Sequence, residues 1–304
     1  MKGNPTEWDV RYVGGRIPSG LLPCRSRYSI LVIPVLLATL APASKAQMAT
    51  RGGQPATPQS NGVDSLQTEL HSLTDIQKQG GPIDSKEIAD YKKFYNENAE
   101  PAKKIELGKA FLQKHPKSQL AEAVDAGLVN AYIARQDWPD VYTTADSALA
   151  LKPDDIDVLT TVGWVIPHVS QPSDPYADAL LDKAETYEKH ALDVMTTIPK
   201  SARVSDAQFA AMKEQKALQI HSALGLIYFR RSEYDASAKE LQLATQGNPN
   251  ADQSDLYVLG IDQQNLKRYN DAVDAYTRCV QIPGSLAGQC KQGADEAKKS
   301  SASE

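Results

Sequence analysis

The chain has 304 residues, of which 41% are hydrophobic but only 7% aromatic, and it carries 33 lysines and arginines against 38 aspartates and glutamates, a net charge of −5. That balance argues against nucleic acid or an anionic membrane surface as the main partner, because both demand clustered basic side chains. Alanine recurs between leucines while glycine and proline are ordinary, so close helix packing is favoured over strands and the chain reads as all-α.

Residues 1–46 differ from the rest. Arg25 and Arg27 precede the apolar run Ile30 to Leu40, and small residues at Ala43, Ser44 and Ala46 follow it, the order of a secretory signal peptide cleaved after Ala46. The charge-free stretch 28–44 is 17 residues long and contains Pro34, which is short for a bilayer span. An uncleaved inner-membrane anchor is the alternative, and it would be the protein's one membrane contact. Cys24 lies before the apolar run rather than after it, which disfavours lipidation. Cleavage would leave 27 basic and 36 acidic residues, a net charge of −9, on an exported, periplasmic protein. Residues 47–62 are Gln, Thr, Pro, Gly and Ser with few apolar side chains, so nothing there offsets the entropy of ordering and a disordered linker is expected. Val63, Leu66, Leu70, Leu73 and Ile76 then recur at spacings of three and four, predicting an amphipathic helix over 63–81 that Gly80, Gly81 and Pro82 terminate.

The remainder repeats itself. Tyr91, Tyr95, Leu107, Phe111 and Pro116 mark a degenerate first unit, and Leu128, Tyr132, Trp138, Ala148, Leu151 and Pro153 a second. Val162, Gly163, Ile166, Ala184, Glu188 and Ala191 mark a third, in which the insertion Pro167 to Pro175 replaces a short turn; the stretch from Pro199 to Asp206 lengthens the next connection. The clearest copies come last. Leu224, Gly225, Tyr228, Ser237, Leu241, Ala244 and Pro249 are echoed by Leu259, Gly260, Gln263, Ala272, Tyr276, Cys279 and Pro283, with the glycines 35 apart. A small residue on each helix lets two backbones approach, large residues fill the gap, and proline stops the second helix.

This spacing resembles the tetratricopeptide (TPR) repeat. The resemblance covers about two thirds of the chain and implies a right-handed α-solenoid of about five helix pairs over 85–299, ending in a capping helix from Ser285 to Lys299. TPR proteins bind partners on the concave surface lined by the first helix of each pair. Carrying the frame over places Asn130, Trp164, His168, Ser222, Arg230, Tyr257, Gln264 and Asn265 there, with Ile133, Thr160 and Ile261 among them. Trp164 and Tyr257 have a second reading as interrepeat core. The lysines and asparagines of TPR domains that clamp chaperone carboxylates are mostly missing, with Ala126 and Thr161 at clamp positions. The segment Phe111 to Ser118 is similar to helix endings in repeat proteins that assist outer-membrane assembly.

The five histidines fall in different elements with no second ligand at helical spacing, and no phosphate loop, nucleophile elbow or zinc-protease helix is present, so neither an enzyme nor a metal or cofactor site is expected. Cys279 and Cys290 form an even pair in the exported chain and read as a disulfide, with two buried thiols as the alternative. The function expected is a periplasmic scaffold or adaptor that holds a protein or peptide in the concave groove. The alternative is a structural component of an envelope assembly or secretion complex.

Overall fold

The computed structural model describes residues 80–171, 174–201 and 204–303, together with Ile76. The expected signal segment, linker and most of the amphipathic helix lie outside the described residues. Ile76, the last apolar position of that helix, is helical and packs against the first core cluster.

Among the described residues there are eleven helices and no strand. They form five successive pairs: α1 (Ser85–Asn96) with α2 (Pro101–Lys114), α3 (Ala121–Arg135) with α4 (Trp138–Leu151), α5 (Ile156–Val169) with α6 (Ala177–Thr197), α7 (Asp206–Arg230) with α8 (Tyr234–Thr245), and α9 (Gln253–Asn265) with α10 (Tyr269–Gln281). The last helix, α11 (Ala287–Ser301), covers the end. Each helix packs on the next in sequence, each first helix also meets the first helix of the following pair, as α5 does α7 and α7 does α9, and α9 meets the covering helix α11. That connectivity is an all-α solenoid of helix pairs, and its core runs as three successive clusters rather than one centre.

Local sequence explains where the helices begin. Asp84 accepts from the Lys86 and Glu87 amides, Asp155 from those of Asp157 and Val158, and Asp252 from that of Ser254. Ser205 and Gln208 form a reciprocal capping box at the start of α7. Three of the turns inside pairs share one geometry. Gln136, Ser232 and Lys267 adopt left-handed backbone with φ of 59°, 63° and 58°. The amides that follow them, of Asp137, Glu233 and Arg268, donate to the carbonyls of Tyr132, Tyr228 and Gln263 five residues back, which closes each helix in a Schellman arrangement.

Within a pair the two helices touch where the repeat frame puts its small residue. A Cβ built on Gly225 would lie 2.5 Å from the Leu241 side chain, and one on Gly260 would lie 2.5 Å from the Tyr276 ring. In the third pair the same place is taken by Glu188, whose carboxyl would meet a Gly163 Cβ at 2.5 Å. The third unit therefore closes on a carboxyl where its neighbours close on apolar side chains.

One expectation about the connections needs correction. The insertion does not begin at Pro167, because α5 continues through Pro167 and His168 to Val169, and only 170–176 connects it to α6. A proline so near a helix end removes one backbone hydrogen bond in a turn that is about to finish. Here the Ile166 carbonyl accepts from both the amide and the hydroxyl of Ser170, at 3.0 and 2.6 Å, and Arg230 Nε donates to the Pro167 carbonyl at 3.2 Å, so side chains bond the carbonyls at this helix end. The connection after α6 is long as expected, and the two helices it joins are long as well. α6 has 21 residues and α7 has 25, against 12 to 15 in the other helices, and residues 198–205 join them. Val194, Met195 and Met212 are buried in this extended hairpin, so the extra length carries its own apolar contacts.

Candidate functional site

The first helices place Trp164 and His168 one turn apart on α5. Residues four apart share a helix face, and here their rings stack with centroids 3.8 Å apart and planes inclined by 26°. His168 Nδ1 lies 2.6 Å from the Trp164 carbonyl. A carbonyl can only accept, so Nδ1 carries the proton and Nε2 is left as an acceptor. Burial pushes the His168 pKa down to about 4, and the Arg230 guanidinium acts in the same direction while the Trp164 carbonyl and Asp252 oppose it. His168 is therefore neutral near physiological pH.

Arg230 closes α7 beside this stack. Its Nε donates to the Pro167 carbonyl at 3.2 Å, it is largely buried, and among the described residues no carboxylate pairs with it. Other arginines of the same fold behave differently: Arg231 pairs with both Glu185 and Asp182, and Arg268 with Asp235 at 2.9 Å. Trp164, His168 and Arg230, chosen from the sequence, are thus brought together across the α5–α7 contact.

The remaining sequence-chosen residues are placed otherwise. Ser222 is buried, and its hydroxyl donates to Asp255 at 2.9 Å between α7 and α9, so it joins repeats instead of facing a groove. Thr160 is buried as well and accepts from Lys216 Nζ at 3.2 Å, between α5 and α7. Tyr257 packs against the last core cluster, its ring centroid 6.0 Å from that of Tyr276 in the second helix of the same pair. Gln264 Oε1 accepts from the Tyr276 hydroxyl at 2.6 Å. Asn265 and Asn130 are exposed, and their amides turn back to the Ile261 and Ala126 carbonyls of their own helices at 2.9 and 3.4 Å. Helical spacing puts these residues on one face of each first helix. That face is broad enough to border both the open side and the next repeat, and the tilt between repeats decides which border a given side chain takes.

Three partners in this region were not singled out from the sequence: Asp255 behind Ser222, Lys216 bonded to Asp157 at 3.1 Å, and the Glu185 carboxylate. Arg231, Lys189 and Tyr228 all donate to Glu185 or face it, and they hold its pKa below the usual carboxylate range although burial acts the other way. The Ser222–Asp255 and Lys216–Asp157 bonds join successive first helices, whereas Glu185 lies on the second helix α6 and is met from α7 by Tyr228. His115, His190 and His221 each sit beside a separate carboxylate, Asp90, Asp154 and Glu240, and no group of three metal-ligating side chains occurs among the described residues.

At the end of the array Cys279 of α10 and Cys290 of α11 are bridged, with Cα atoms 6.0 Å apart and both side chains fully buried. By the loop-closure estimate, a bridge across 11 residues contributes about 3 kcal/mol. Reduction in denaturant followed by refolding under reducing conditions should lower the unfolding free energy by about that amount, read from urea titration. Alkylation before reduction should label neither cysteine.

No protein-family model matches the chain, and no curated protein matches it. No described helix is long and apolar enough to cross a membrane. Among solved structures the chain is similar to a thermophilic TPR protein of Thermus thermophilus, at 14% identity and a TM-score of 0.43, over 69% of this chain and 98% of that one.

Proposed function

We propose that this chain is an exported, periplasmic scaffold or adaptor that holds a peptide or partner segment on the face formed by its first helices. The observation that carries this reading is the junction of Trp164, His168 and Arg230, an aromatic stack beside a guanidinium that no acid among the described residues neutralises. Aromatic and arginine side chains in partly buried settings dominate binding energy at protein interfaces, so this junction is the natural anchor point. The proposal includes removal of residues 1–46, and intact-mass analysis of the exported protein should find Gln47 at its N-terminus.

The test begins with affinity purification from envelope extract and continues with the purified partner. Trp164→Ala should weaken that partner by about 1–3 kcal/mol, whereas Leu243→Ala, at an exposed position on the second helix α8, should leave affinity unchanged. Circular dichroism must show both variants folded. Equal affinity for Trp164→Ala and the parent protein would exclude the first-helix face. The reading as a structural part of an envelope assembly draws on Leu151, Leu243 and Val280, exposed apolar residues on the second helices α4, α8 and α10. It would gain if Leu243→Ala alone lost the partner.

A further inference from the structure

We infer that Arg230 recognises one side-chain carboxylate of the bound segment, an aspartate or glutamate lying beside Trp164. The inference rests on the first-helix face being the binding surface and adds the chemistry of what it takes.

The starting observation is an imbalance of charge. The described fold is rich in acids, and Arg231, the next residue in sequence, is pinned by two of them. Among the described residues Arg230 donates only through its Nε, to the Pro167 carbonyl, and its Nη groups make no hydrogen bond or ion pair. Taking a guanidinium partly out of water without a counter-charge is unfavourable, and a fork of two parallel N–H donors is the geometry that fits a carboxylate. Placing the anion in the ligand supplies the missing partner only when the complex forms.

The surroundings set the valence. His168, the nearest titratable ring, is neutral, so the junction offers a single positive charge. Asp252 acts on His168 from the start of α9, so an acid borders the site. One positive charge with an acid at its margin fits a monoanion and disfavours a dianionic phosphate. The position along the array selects the source of the carboxylate. Arg230 belongs to the fourth of five pairs, with three pairs before it and a pair and the capping helix after it. A segment lying along the first helices therefore continues past Arg230 on both sides, which favours an internal side chain over a chain end.

The experiment uses the chain from Gln47 to Glu304 and an array of N-acetylated 12-residue peptides, each made with a free and with an amidated C-terminus. Peptides retained by the parent protein should contain Asp or Glu, and amidation should leave them bound. For the best of them, Asp→Asn or Glu→Gln should lower affinity at least tenfold, and Arg230→Met should do the same. The two changes together should cost no more than either alone. Arg230→Lys, which keeps the charge and can still reach the Pro167 carbonyl, should bind with intermediate affinity and guards against misreading a folding defect.

Retained peptides without acidic residues, or equal binding by Arg230→Met, would overturn the inference. Continued sensitivity to Trp164→Ala in those cases would preserve the surface itself. Loss of binding on amidation would assign the carboxylate to a chain end and overturn the side-chain assignment. If no peptide is retained, or if Trp164→Ala and Arg230→Met both bind unchanged, the first-helix face and this inference fail together.

Discussion

Replacing Glu188 with leucine is expected to raise the stability of the solenoid near neutral pH by about 2–4 kcal/mol. Glu188 is fully buried between α5 and α6, and among the described residues neither carboxyl oxygen has a hydrogen-bond partner. Burial raises its pKa well above the ordinary carboxylate value, opposed only by the Lys216 charge from α7, so the group is held protonated in the fold. Leucine is a proven occupant, because Leu241 fills the same position against Gly225 in the next repeat at the same approach distance. The pH dependence gives a second signature. A carboxyl whose pKa is higher folded than unfolded contributes its stability below the unfolded value, and that contribution falls as pH rises towards the folded value. The advantage of Glu188→Leu over the parent should accordingly grow from about pH 4.5 upward, by up to ~1.4 kcal/mol per pH unit until the folded pKa is reached. Urea titrations of both proteins across pH 4.5 to ~8 would read this directly. A destabilised variant would mean that the carboxyl has a stabilising partner.

Other groups shape the pH profile of the parent and cancel in that difference. Burial raises the Asp255 and Asp262 pKa values to about 7. For Asp262 the bonding pattern agrees. Ser237 Oγ lies 2.8 Å from the Gly225 carbonyl and 2.5 Å from Asp262 Oδ2, and its single proton can serve only one of them. A protonated Asp262 donates to Ser237, which in turn donates to Gly225, and both bonds are made. These two acids lose stability for the fold as pH climbs from about 4 to about 7. His168 acts in the opposite sense. Its folded pKa of about 4 lies below the ordinary value of 6.5, so the stability it contributes is present above 6.5 and is lost as pH falls towards 4.

The second large effect is expected at the other end. Gly260→Val should destabilise by about 3 kcal/mol, at the upper end of the usual overpacking range. The Tyr276 ring is caught between two glycines, since a Cβ on Gly260 of α9 or on Gly293 of α11 would each come within 2.5 Å of it. The ring cannot retreat, because its hydroxyl is bonded to Gln264 at 2.6 Å and Tyr257 packs beside it. The Cys279–Cys290 bridge also ties α11 to α10, which limits how far the pair can open. Tyr276→Ala in the same chain should relieve the clash, so the double variant should be more stable than the sum of the single effects implies. Thermal unfolding of the four proteins checks this, and simple additivity would show that the contact yields by relaxation.

How much of this was legible beforehand follows from the physical range of each signal. The 35-residue spacing of Gly225 and Gly260, with large residues returning on the following helix, determined the helix pairing. Helix-on-helix contact requires small against large at a fixed offset, and that requirement is written locally in the chain. Cys279 and Cys290, suggested as a pair by the even cysteine count of an exported chain, lie side by side across the junction of α10 and α11. The occupancy of the shared face was not legible. The same spacing nominated Trp164, Ser222 and Tyr257 equally, yet tertiary structure left the first beside Arg230, sealed the second onto Asp255 and packed the third towards Tyr276. Helical periodicity fixes a direction around one axis, whereas burial depends on the tilt and rise from each repeat to the next. The end of α5 shows the same division. Pro167 reads as a stop when only backbone chemistry is weighed, but α5 runs on to Val169, and Arg230, 63 residues later, donates to the Pro167 carbonyl.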